Sequence, residues 1–251
     1  MITLSSKKFG RQVPAIFSFS YQTIIIALLF IVIIFSSCFS PRKMDKWIDQ
    51  QYRDVPTKVK SNDYISVKIE KTPFKDRLSE TKKGKTKFIP ALFYYQWEFY
   101  STSTLNPYIP VSNLSNTILP YANVKGLKKK LDGQKLELTI EKVPSIFSLR
   151  DKGAMIFLVV AYTGWEHIYI EPQTEEMVVS YRLLKDNVET KKGEVTVPNR
   201  DQGISLKAFQ STKKLTWKYL EQYNNNIKAM SKELVDKLLI ELQQEGNLVK
   251  E

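Results

Sequence analysis

Few residues in this chain can do covalent or metal chemistry. There is one cysteine, Cys38, and one histidine, His167. A serine hydrolase needs a histidine oriented by an acid and facing a nucleophile, and His167 lies beside Glu166 in a run that otherwise reads as a strand. A zinc site needs three or four His, Cys or acidic ligands, and His167 and Cys38 lack companions of that kind. His167 is therefore read as a structural or surface residue. The adjacent carboxylates Glu175 and Glu176 stand at a strand entry, where such pairs face solvent. Glycan cleavage by two carboxylates stays open, since a chain with 26 Asp and Glu residues can assemble such a pair, but no spacing favours it. No glycine-rich loop of the Rossmann or P-loop type is present to cradle a phosphate. The expectation is a protein that is not an enzyme and that carries no metal and no cofactor.

Cys38 has a more specific setting. Lys7, Lys8 and Arg11 precede it without an acidic residue, residues 24–35 are twelve unbroken apolar residues, and Ser36-Ser37 lead into the cysteine. That is a charged n-region, an apolar h-region and a small-residue cleavage site in the required order. The run Phe35-Ser36-Ser37-Cys38 resembles the lipobox of a bacterial lipoprotein signal peptide, in which the cysteine is acylated on sulfur and becomes the new N-terminus. The resemblance implies a signal peptide over 1–37, lipidation at Cys38 and a cell-envelope location. Each buried acyl methylene would add about 0.8 kcal/mol of membrane affinity, so two or three chains anchor the protein durably. In such families an Asp directly after the cysteine is linked to inner-membrane retention; Phe39 stands there, which points to the outer membrane. An uncleaved span over about 21–39 and a plain secretory signal are the alternatives. Positive charge on both flanks, with Arg42, Lys43 and Lys46 on the far side, leaves the orientation of such a span open.

Loss of the signal removes Lys7, Lys8 and Arg11 and lowers the net charge from +12 to +9. For a chain with an export signal, anionic head groups or glycolipid phosphates are more natural partners for that charge than nucleic acid. A solvated basic surface is the plain alternative. A mature chain of this length buries a core without disulfides, which a single cysteine excludes.

The elements follow from periodicity. Residues 38–62 read as a tether with one helical turn at most, and 63–251 as one domain. Residues 63–70 alternate as a half-buried strand, with Ile65, Val67 and Ile69 on one face. A basic loop over 71–87 carries Lys82, Lys83, Lys85 and Lys87, and leads into an aromatic strand over 88–100 that places Phe93, Tyr95, Trp97 and Phe99 on one face. Residues 101–112 read as loop, and 113–131 as helical spacing broken or kinked by Pro120. Residues 134–143 are the clearest strand. The unbroken apolar run 154–162 predicts a central strand covered on both faces. Residues 167–170 form a further short run. Residues 177–185 and 188–197 form a hairpin across Asp186-Asn187. A long helix over 212–244 closes the domain, its stripe of Leu220, Tyr223, Ile227, Met230, Leu234, Leu238 and Leu242 at spacings of three and four. Asn224 to Asn226 are weak helix formers that predict a start or bend, and Gly246-Asn247 a stop. The fold class is α+β, with a mostly antiparallel sheet packed by the C-terminal helix.

This element order behind a lipobox is similar to that of the small auxiliary lipoproteins of envelope lipid-transport and lipopolysaccharide-assembly systems. The resemblance implies a non-enzymatic accessory that binds a lipid, a glycolipid or an envelope protein, and it carries over no functional residue. A structural surface lipoprotein and a carboxylate-dependent glycan enzyme are the other readings. The candidate site joins the aromatic strand to the basic loop: aromatic area for acyl chains, and Lys82, Lys83, Lys85 and Lys87 for head-group phosphates. The competing expectation is that Phe93, Tyr95 and Trp97 fill the core and the lysines form a solvated loop.

Overall fold

The structure, a computed structural model, describes residues 40–53, 59–70, 77–84, 86–91, 93–157 and 162–248. In chain order the elements are α1 (Pro41–Tyr52), β1 (Ile65–Ile69), β2 (Ser79–Lys83), β3 (Lys87–Ala91), β4 (Tyr94–Leu105), α2 (Tyr108–Val124), α3 (Leu127–Lys130), β5 (Lys135–Lys142), β6 (Ile146–Phe157), β7 (Tyr162–Pro172), β8 (Met177–Lys185), β9 (Val188–Val197), β10 (Ile204–Ser205) and α4 (Thr212–Leu248). The fold is α+β: two sheets, antiparallel except for one parallel pair, packed by a long C-terminal helix.

The first sheet has the order β1-β5-β8-β9, with β1 parallel to β5. Strict alternation builds it. Leu136, Leu138 and Ile140 of β5 and Met177, Val179 and Tyr181 of β8 are buried, while their neighbours face outward. The β8–β9 turn places Asp186 and Asn187 at φ of 52° and 65°, the left-handed pair that a two-residue hairpin demands. The second sheet has the order β10-β7-β6-β4-β2, and β3 joins it along the β4 edge that β2 also uses. β2 ends at Lys83, opposite Ser101, and β3 begins at Lys87, opposite Glu98.

The closing helix behaves as its stripe predicts. Leu220, Tyr223, Ile227, Met230, Leu234 and Leu238 are buried. It runs on through Asn224–Asn226 and Gly246 to Leu248. The Asn224 side-chain oxygen accepts from the Tyr52 hydroxyl and from Asn113 Nδ2, both at 2.9 Å, so a poor helix former is the polar junction of α1, α2 and α4.

Four expectations need correction. The segment read as a tether contains α1, a helix of 12 residues whose Met44, Ile48 and Tyr52 are buried, with Pro41 at its first turn where a missing N–H costs nothing. It is fixed to its surroundings by polar bonds: Asp45 Oδ1 accepts from Ser79 Oγ at 2.9 Å and from Thr81 Oγ1 at 2.6 Å, and the Trp47 carbonyl accepts from Trp217 Nε1 at 3.0 Å. Residues read as loop over 101–112 are the end of β4 and the start of α2, since Pro110 also sits in a first helical turn and Pro120 is tolerated inside the helix. The aromatic strand over 88–100 is not one strand but two: β3 and β4 pair with each other, Phe88 opposite Trp97 and Ala91 opposite Tyr94. Part of the basic loop before it is β2.

Candidate functional site

The six-stranded sheet has one face under the helices and one face open. On the covered face, Ser79 and Thr81 of β2 meet Asp45 of α1, Phe147 of β6 packs on Tyr219 of α4 with ring centroids 4.8 Å apart, and Leu149 and Ile170 are buried. Residues opposite one another in antiparallel strands share a face, so this face is traced along β4 as Leu105, Ser103 and Ser101, all buried. The cover ends there. The next residue on the same face, Phe99, is 37% exposed, and beyond it Trp97 and Tyr95 are half-buried.

Phe93 is 56% exposed, as is Phe88, while Tyr95 and Trp97 are half-buried, so Phe93 does not fill the core as expected and the other two fill it only in part. The central strand β6 meets the same fate. The run 154–162 was expected to be covered on both faces. Within the described residues Ala154 is buried but Met155 is half-buried and Ile156 is 42% exposed, because β6 extends past the helices between two equally extended neighbours. Residues 158–161 lie outside the described residues.

Cross-strand register fixes where charge stops. Lys87 of β3, Glu98 of β4, Lys152 of β6 and His167 of β7 are mutually opposite and form one row across four strands on the open face. Glu98 pairs with Lys152 at 3.3 Å and with Arg150 at 3.8 Å, and Arg150 also pairs with Glu171 at 2.9 Å. Beyond the row, residues 88–97 contain no charged side chain. Residues 153–165 contain none either, whereas Glu166, opposite Gly153, lies one step beyond the row on the helix-side face. The apolar character extends to both faces: Phe88, Tyr95, Trp97 and Met155 on the helix-side face, Ile89, Tyr94, Ile156 and Trp165 on the open one.

Two acids border this end on the helix-side face. Asp151 accepts from Trp97 Nε1 at 2.9 Å, and burial raises its carboxyl above the ordinary carboxylate range although the indole bond works against the rise. Glu166 is raised as well, first by burial and second by the charge of Asp151. The Trp97 ring lies across Gly153, where any side chain would collide with it at about 2.1 Å, so the glycine is what lets the indole reach Asp151.

The lysines of the candidate site are not gathered on one face. Lys83 is exposed on the helix-side face next to Ser101, whereas Lys82 and Lys87 are exposed on the open face, and Lys82 pairs with Glu80 at 3.5 Å. Lys85 and Cys38 lie outside the described residues. Reading the sequence missed Lys152, Arg150, Asp151 and Glu166, which a residue-by-residue scan places in strands but only pair register places at this border. His167 is exposed, its ring 5.0 Å from that of Tyr169. Among the described residues no cluster of three or more His, Cys, Asp or Glu is placed to hold a metal, and no helix is long and apolar enough to cross a membrane. Comparison with protein families, with curated proteins and with solved structures finds no match.

Proposed function

We propose that the protein is a non-enzymatic lipoprotein of the cell envelope, anchored through acylated Cys38 and placed in the outer membrane, that binds an anionic lipid or glycolipid at the uncovered end of its six-stranded sheet. One observation carries the reading: the core-forming face runs on past its buried part and exposes Phe88 and Phe99 beside exposed Lys83, with Phe93 exposed in the turn between β3 and β4. Exposed aromatic area of this kind marks interaction sites, and acyl chains match it. Cationic side chains near it favour phosphate-bearing head groups at about 1 kcal/mol each. The element order read from the sequence resembles that of auxiliary lipoproteins of lipid-transport and lipopolysaccharide-assembly systems, which is in keeping with the same role.

The chain from Ser40 contains every buried core residue described and is a compact unit, so it is the protein to test without the anchor. Titration calorimetry with lysophosphatidylglycerol below its micelle concentration should detect binding that weakens with salt. Neutral lysophosphatidylcholine should bind more weakly, and Lys83→Glu with Lys87→Glu should erase the difference. No heat from either amphiphile would remove the reading.

A glycan-acting enzyme has one observation of its own, the raised Asp151 and Glu166 carboxyls beside Trp97. Release of reducing sugar from envelope glycan, abolished by Asp151→Asn, would replace the proposal.

A further inference from the structure

We infer that the corner where α1 and α4 begin is a contact for the surface of an anionic bilayer, with the Phe209 ring as its apolar tip and the surrounding basic side chains as its charge. It is a surface separate from the lipid site at the sheet end, and it does not need that site to take a lipid.

The two helices start at one end because they run parallel. Thr216 Oγ1 meets Met44 Sδ at 3.6 Å, Trp217 Nε1 meets the Trp47 carbonyl at 3.0 Å and Asn224 Oδ1 meets the Tyr52 hydroxyl at 2.9 Å, so the numbering rises together. Ser40, where the chain leading from Cys38 enters the folded unit, stands at that end. Just before α4, the Leu206 N–H donates to the Ile168 carbonyl of β7 at 2.7 Å, which ties the segment to the sheet. The Gln210 N–H then donates to the Lys207 carbonyl at 3.1 Å and closes a turn with Phe209 in third place. Phe209 has φ of 62°, the left-handed value that such a turn ordinarily gives to glycine. A bulky side chain is an outlier there. The ring is nonetheless fully exposed, at 111%, so folding gains no burial to offset the strain. Strain that persists without a structural return points to function.

Charge selects the occupant. Residues 202–220 contain Lys207, Lys213, Lys214 and Lys218 and no acid. The first two turns of α1 add Arg42, Lys43 and Lys46, all exposed. Against these seven cations stand Asp45, whose Oδ1 is taken by Ser79 and Thr81 of β2, and Glu166, two residues along β7 from Ile168. A protein partner would have to supply a pocket for one projecting ring and acids at fixed positions around it. A bilayer of acidic lipids supplies both without fixed positions, as a continuous negative surface over apolar chains. The corner also faces the same way as the uncovered sheet end. The Tyr223 hydroxyl donates to the Pro144 carbonyl and Tyr219 packs on Phe147, so going back along α4 towards Thr212 is going along β6 towards Asp151. One bilayer therefore meets both surfaces, and each raises the effective concentration of the other.

The test uses the chain from Ser40 and flotation with vesicles of phosphatidylcholine, with or without phosphatidylglycerol. Association with the anionic vesicles alone is expected, and salt should weaken it. Lys213→Glu with Lys214→Glu should weaken it by about tenfold or more, at an unchanged melting temperature. Phe209→Gly should weaken it too and yet melt no lower than the parent, because glycine takes the left-handed turn without strain, which offsets its freer unfolded chain. Loss of association without loss of stability separates a contact from a packing residue. A Phe209→Gly chain that melts lower shows the ring to be structural and overturns the inference. So does full association of both variants. Association lost in Lys83→Glu with Lys87→Glu but kept in the corner variants moves the whole contact to the sheet end, against the inference. Retention on polyglutamate without vesicle association makes an acidic protein the occupant and overturns it as well. Binding of monomeric lysophosphatidylglycerol without vesicle association leaves the proposed function standing and removes the corner; absence of both removes both.

Discussion

At the scale of single residues, two acids at the sheet end are held in their protonated form more strongly than usual: burial is the first cause of the raised Asp151 and Glu166 carboxyls, and the charge of Asp151 raises Glu166 further. A carboxyl raised on folding binds its proton more tightly in the native state. Its stabilising contribution is therefore complete below the ordinary carboxylate range and is lost as pH climbs through the raised values. Asp151→Asn keeps an acceptor for the Trp97 indole and removes the charge, so it should melt higher than the parent at neutral pH. The gap should close in acid, where both forms are neutral. Melting curves across pH 3–8 check it; a gap that persists unchanged in acid would mean the effect is not charge. These acids were invisible in the sequence because nothing in the spacing of Asp151 and Glu166 brings them together, whereas the strand register does.

Elements were legible where one periodicity ruled and one face was buried. Strands β1, β5, β8 and β9 and the stripe of α4 follow directly from alternation and from three–four spacing. The misreadings share a cause. Helix α1 carries its signal in Met44, Ile48 and Tyr52, an every-fourth-residue stripe short enough to be lost among charges and two prolines, and burial against α4 is what makes it a helix. Likewise an apolar run does not tell a strand buried on both faces from one exposed at its end, and β6 is the second kind. Two predictions test the packing. Ile48→Ala, at a site with no exposure, should cost about 2–5 kcal/mol if α1 is part of the core, and almost nothing if it only lies alongside. Leu234→Asp or Leu238→Asp should destabilise by several kcal/mol, since an unpaired carboxylate is added to lost apolar burial. Denaturant titration separates these outcomes. A wild-type midpoint in either aspartate variant would show the α4 stripe to be a docking surface instead of core.

For the whole molecule, the sequence places the candidate anchor only two residues, Phe39 and Ser40, ahead of the first helix. Residues 41–52 of the segment first read as a tether are thus part of the folded unit. Cys38→Ala should leave the domain folded, because the described core lies between Met44 and Leu239 and owes nothing to the acyl chains. If Cys38 is acylated as proposed, the variant should also exchange that anchoring for a weak association that salt weakens, carried by the aromatic end and the lysines beside it. Adding Phe93→Asp and Ile156→Asp should then release the protein into the soluble fraction, whereas the same pair in the acylated protein should change retention little. Fractionation of washed membranes, with the gel position of each variant as a report on processing, reads all four combinations. Retention of Cys38→Ala at full strength, with an unshifted gel position, would instead identify residues 21–39 as an uncleaved span.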